Sequence, residues 1–72
     1  MLYKFFLSEK QMNTGKSPWE SMYFSSNNDM LVFLKERNRR PKKTQKNGNY
    51  TYILLKTKGI VETMFNLSMG SI

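Results

Sequence analysis

Residues 2–9 alternate. Tyr3, Phe5 and Leu7 fall on one side of an extended chain, and Leu2, Lys4, Phe6 and Ser8 on the other. Aromatic residues at period two predict a strand with the Tyr3, Phe5, Leu7 side inward. Phe6 also needs cover, so the strand is either buried on both faces or borders an apolar patch. Residues 10–17 are polar and hold Asn13, Thr14 and Gly15 together, the composition of a loop or hairpin connection. Residues 18–25 alternate again, with Trp19, Ser21 and Tyr23 opposite Glu20, Met22 and Phe24, and read as a second strand with Trp19 in the core or at its edge. Pro18 suits the start of a strand or an edge position, where no ladder donor is required.

The period changes at Ser26. Ser26, Asn27, Asn28 and Asp29 precede the apolar run of residues 30–34. That order marks a helix N-terminus, with Ser26 and Asp29 placed as in a capping box. Met30, Phe33, Leu34 and Arg37 form one stripe, flanked by Leu31. Lys35, Arg37, Arg39 and Arg40 suit the negative end of the helix dipole. Pro41 disfavours helical geometry at Arg40, so the helix is expected to end near Arg39. Residues 42–48 read as a solvated loop, with a short edge strand over 42–46 as the alternative. Asn47-Gly48 is a type I′ hairpin signal. Residues 49–57 have the strongest strand composition in the chain. A Lys58-Gly59 turn and a returning strand over 60–68 follow, pairing Tyr52 with Phe65 and Tyr50 with Leu67. Residues 69–72 form a short tail expected to fray.

The predicted fold is α+β: a four-stranded antiparallel sheet in β-β-α-β-β order with one helix packed on one face. The helix stripe is expected to meet Phe5, Leu7, Tyr52, Leu54 and Phe65. The other face would carry Phe6, Ile53, Leu55, Ile60 and Met64, an apolar patch fit for a dimer or another partner.

Composition narrows this further. Seventy-two residues make a single domain. Domains below about 70–80 residues commonly need a staple. With no cysteine and no histidine, disulfides, thiolate metal sites and imidazole bases are excluded, leaving a good core or a homodimer. No cofactor or metal is expected. The longest apolar run is five residues, against the roughly 20 that span a bilayer, and no targeting segment is apparent, so a cytoplasmic, non-membrane protein is expected.

Catalysis is not expected. Glu9, Glu20, Asp29, Glu36 and Glu62 are scattered, and nothing pairs them. Gly15-Lys16-Ser17 resembles the end of a phosphate-binding loop, but Lys10 stands where the first glycine belongs. Two glycosylation sequons, at Asn49 and Asn66, fall in predicted strands and are read as chance.

The net charge is +7, and it is concentrated: seven of the twelve basic residues lie within residues 35–46. They are Lys35, Arg37, Arg39, Arg40, Lys42, Lys43 and Lys46, against one acid, Glu36. Arginine offers a planar fork to phosphate oxygens and lysine a mobile point charge, while Asn38 and Gln45 could meet base edges. These seven are the candidate nucleic-acid-binding residues. Neutralising about four phosphates of a duplex gives a slope of roughly −3.6 for log K against log salt. The expected function is a small non-enzymatic nucleic-acid-binding regulator, with DNA placed ahead of RNA. The alternative is a modulator or inhibitor that docks on an acidic or apolar protein surface, for instance by strand addition. Charge serving solubility alone, or an anionic membrane surface, are the weaker readings.

Overall fold

The first strand, β1 (Leu2–Phe6), and the last described one, β4 (Tyr50–Leu55), lie side by side and run parallel. The computed structural model describes residues 1–56. Tyr3, Phe5 and Phe6 have no exposed surface, so β1 is buried on both sides. In β4 the five residues from Thr51 to Leu55 are all buried. Such an unbroken buried run is what a central strand covered on both faces needs. The register pairs Leu2 with Tyr50, Phe5 with Ile53 and Phe6 with Leu54. One face therefore carries Tyr3, Phe5, Ile53 and Leu55; the opposite face carries Phe6, Tyr52 and Leu54.

Each face has its own helix. Helix α2 (Asn27–Glu36) buries Met30 and Leu34 against the first face, joined by the half-buried Phe24 and Phe33. Burying a side chain of this size contributes about 1.5–3 kcal/mol. Helix α1 (Glu9–Thr14) buries Met12 against Phe6, Tyr52 and Leu54. The expected contact of the α2 stripe with Tyr52 and Leu54 is thus corrected to Ile53 and Leu55, because the parallel register aligns Phe5 with Ile53. Phe6, Ile53 and Leu55 form no open patch.

Helix α1 replaces the loop expected over residues 10–17. Its signals are local. Ser8 Oγ accepts from the Gln11 N–H at 3.2 Å, and Gln11 Oε1 accepts from the Leu7 N–H at 2.9 Å. That is a capping box displaced by one residue on its return bond. The helix stops at Gly15, φ +72°, where the Lys16 N–H reaches Gln11 O and the Gly15 N–H reaches Met12 O, a Schellman closure.

The second strand, β2, is only Met22–Tyr23, antiparallel to β1, not the whole of residues 18–25. Beyond it the Ser17 hydroxyl donates to Phe5 O and so serves the edge of β1. Helix α2 begins as expected, with Ser26 Oγ accepting from the Asp29 N–H at 3.1 Å. It ends earlier than expected. Asn38 adopts φ +55°, its N–H donates to Lys35 O, and the Arg39 N–H donates to Leu34 O. This second Schellman closure turns the chain three residues before Pro41.

The solvated loop expected at residues 42–46 is a strand. Strand β3 (Pro41–Asn47) pairs antiparallel with β4, with a bulge between Pro41 and Lys43. The hairpin turn is Gly48-Asn49 rather than Asn47-Gly48: Asn47 pairs with Tyr50, and only Gly48 of the two has positive φ, +64°. A glycine at the first central position fits a type II′ turn. The sheet order is β2-β1-β4-β3, and the sheet is mixed, not purely antiparallel. Two helices, not one, pack on it among the described residues. The predicted turn at 58–59, the strand over 60–68 with its cross-strand pairs, and the tail at 69–72 lie outside the described residues.

Candidate nucleic-acid interface

The seven basic residues of the 35–46 stretch separate into two groups. Arg37 and Arg39 are built into the fold. Arg37 caps α2; its guanidinium carbon sits 3.7 Å from the Phe33 ring centroid, and Nη1 donates to Phe33 O at 3.1 Å. Its side chain is 18% exposed, with Glu36 at 3.9 Å. Arg39 is 3% exposed, and its Nη1 donates to Lys56 O at 2.7 Å. The cause is the turn at Asn38, which sends Arg39 inward toward the end of β4. The Lys56 N–H donates to Arg40 O at 3.0 Å beside it. Together these bonds clasp the exit of α2 to the end of β4, so both arginines leave the expected set of exposed phosphate contacts.

The second group is exposed. Lys35 lies in the last turn of α2, Arg40 immediately precedes β3, and Lys42, Lys43 and Lys46 follow along it. They do not share one flat face. Lys43 is opposite Leu54 and so lies on the α1 side of the sheet; Lys46 is opposite Thr51 and lies on the α2 side. Lys42 is the extra residue of the bulge. Lys43 Nζ lies 3.3 Å from Glu9 Oε1, with the two side chains 51% and 60% exposed. A pair so solvated contributes less than about 1 kcal/mol and gives way easily to a competing anion. Gln45 and Asn47 are exposed on the same side as Lys43. Asn38 is exposed as well, with its backbone committed to the turn.

A second cationic place was not visible along the chain. Lys4, Lys16, Ser17, Trp19, Glu20 and Tyr50 line an open groove of about 500 Å³ at the hairpin end of the sheet. Lys4, the segment 16–20 and Tyr50 are distant in sequence and come together where β1 and β4 are neighbours. A smaller hollow of about 310 Å³ lies at the opposite end, between Leu7, Lys42, Leu54 and Lys56.

Among the described residues no three His, Cys, Asp or Glu side chains gather as metal ligands. Glu9 faces Lys43, Glu36 lies near Arg37, and Asp29 sits in the first turn of α2. No helix among the described residues is long and apolar enough to cross a membrane. No protein-family model matches this chain, and neither a curated protein nor a solved structure was found to be similar to it.

Proposed function

We propose that this chain is a small, non-enzymatic nucleic-acid-binding domain with a regulatory role, and that β3, the edge strand among the described residues, is its contact surface. One observation carries the reading: a seven-residue strand whose last six residues are exposed, with Lys42, Lys43 and Lys46 and no acid. Arg40 extends the row at one end. At about 3.4 Å per residue, Arg40 and Lys46 stand roughly 20 Å apart, a reach that takes in several phosphates. Gln45 and Asn47 are the candidates for base edges. Lys35 adds charge from α2; Arg37 and Arg39 hold the strand's entry in place. The absence of cysteine suits a reducing cytoplasm.

The test is fluorescence anisotropy of labelled random-sequence DNA and RNA at two salt concentrations. Binding should weaken with salt, with a log–log slope of about −2.7 to −3.6 for three to four phosphates on a duplex. The triple variant Arg40→Glu, Lys42→Glu, Lys43→Glu should abolish binding while the circular dichroism spectrum is retained. Binding that survives this variant, or no binding at low salt, defeats the proposal. In the second case the long exposed edge points to strand addition by an acidic extended peptide.

A further inference from the structure

Three tyrosines lie on the central strands, and only one is available to a ligand. Tyr3 has no exposed surface and Tyr52 is 8% exposed, whereas Tyr50 opens β4 and is half-buried. The reason is where α1 stops. A Cβ on Gly15 would sit 3.1 Å from Tyr52 Oη, so the end of the helix covers Tyr52, while Tyr50 shares an open groove with Gly15 and the residues that follow it. The groove described above occupies that place.

Its lining is mixed in a specific way. Lys4 Nζ stands 4.9 Å from the Tyr50 ring centroid and 3.5 Å from Gly15 O. Lys16 and Glu20 are exposed at the groove, and Trp19 borders it while packing against the Tyr3 and Phe5 core. Across the hairpin, Asn47 is the register partner of Tyr50 and Gln45 that of Tyr52. Both amides are exposed on the same side of the sheet, and Lys43 continues that side about 14 Å beyond Asn47. An aromatic ring beside a cation, then neutral amides, then another cation is a sequence of contacts suited to base, base edge and phosphate.

We propose that this groove seats an unpaired base of single-stranded nucleic acid, stacked on Tyr50, with flanking phosphates at Lys4 and Lys16 and the strand continuing over Asn47 and Gln45 toward Lys43. The proposal rests on the nucleic-acid reading above and specifies its partner. A base in a duplex is stacked within its own helix and cannot enter such a groove unless it is extruded. A partly exposed ring beside cations is the arrangement that binds single strands with little sequence preference.

Trp19 is the sole tryptophan and borders the groove, so its emission is the first readout, with the Tyr50 ring protons as the second. The whole chain is titrated at low salt with an oligothymidylate of about ten nucleotides, with a duplex of the same length, and with thymidine monophosphate. The oligothymidylate should change Trp19 emission and bind tighter than either competitor. Tyr50→Leu should weaken it about 5- to 150-fold while leaving the duplex affinity within twofold, and Tyr50→Phe should bind as the parent does. Should Tyr50→Leu unfold, the Tyr50 ring protons of the parent chain decide: stacking must move them on addition of the oligothymidylate. If neither substitution nor titration touches Tyr50 while the triple β3 reversal abolishes binding, the base site is refuted and the edge-strand reading stands. Equal affinity for the mononucleotide refutes the strand path. No binding of any polyanion removes both.

Discussion

Arg39 and Arg40 are neighbours of the same type, and the structure assigns them opposite fates, so charge reversal at each is a matched test. Either substitution moves the net charge from +7 to +5, and long-range electrostatics change equally. Arg39→Glu loses the 2.7 Å bond to Lys56 O and places a carboxylate against that carbonyl at a site 3% exposed. Leaving an uncompensated charge in such a place costs about 3–5 kcal/mol. A chain of 72 residues has about 4–11 kcal/mol in total. Arg39→Glu should therefore unfold the domain or bring it close to unfolding. Arg40 is exposed and contributes its carbonyl, not its guanidinium, to the clasp. Arg40→Glu should change stability by no more than about 0.5 kcal/mol, while weakening polyanion binding and flattening its salt dependence. Urea unfolding followed by circular dichroism reads the first difference, and anisotropy the second. Equal urea midpoints for the two variants would refute the division of the basic stretch into structural and exposed cations.

The caps and turns give further tests. Gly15→Ala should cost about 1–2 kcal/mol from positive φ plus the crowding of Tyr52 Oη, and Tyr52→Phe in the same chain should return part of that loss; Gly48→Ala, with nothing within 4 Å, should pay the backbone cost alone. Urea midpoints of the three variants check this. Ser26→Ala removes the acceptor for the Asp29 N–H and should cost about 1 kcal/mol. Burial pushes the Tyr3 phenol above its ordinary value of 10.0. The fold thus favours the neutral phenol. Its contribution is complete below that ordinary value and is lost as pH climbs through the raised one, so alkaline unfolding should be blunted in Tyr3→Phe.

What could be read along the chain followed from periodicity. Residues 26–34 announced α2 through a cap and an apolar run, and the alternations at Tyr3, Phe5 and Tyr52, Leu54 announced β1 and β4. Helix α1 escaped because only Met12 among its six residues is buried, so no period exists to detect. Its signals, Ser8 with Gln11 and the terminal Gly15, were present but looked like a turn beside Asn13 and Thr14. Strand β3 has no apolar side chain except Pro41, and it forms because β4 offers it a ladder; local propensity argued the other way. The parallel pairing of β1 with β4 joins residues nearly fifty positions apart, which no local pattern records. The same gap hid the Tyr50 groove. Arg39 was misplaced for a subtler reason: its burial depends on the αL conformation of Asn38, one residue earlier, and a charge run carries no sign of that.

The lysines of β3 also bear on which partner the edge can take. An exposed edge strand is a template for another strand, and lysines along it are a common protection. Two copies meeting edge to edge would bring Lys42, Lys43 and Lys46 of each together on chains that already carry +7, so like charge opposes a dimer through β3. The charge that discourages a second copy is, under the proposed function, the charge that would admit a polyanion. Protection alone, however, has no use for the side on which a cation lies, because any lysine along the edge repels a neighbour. Nucleic-acid binding does. Lys43 faces the α1 side with Gln45 and Asn47, in line with Tyr50, whereas Lys46 faces the α2 side. Reversing Lys43 should therefore weaken single-strand binding more than reversing Lys46, although both change the net charge equally. Equal effects would leave β3 as a guarded edge whose charge carries no geometric information.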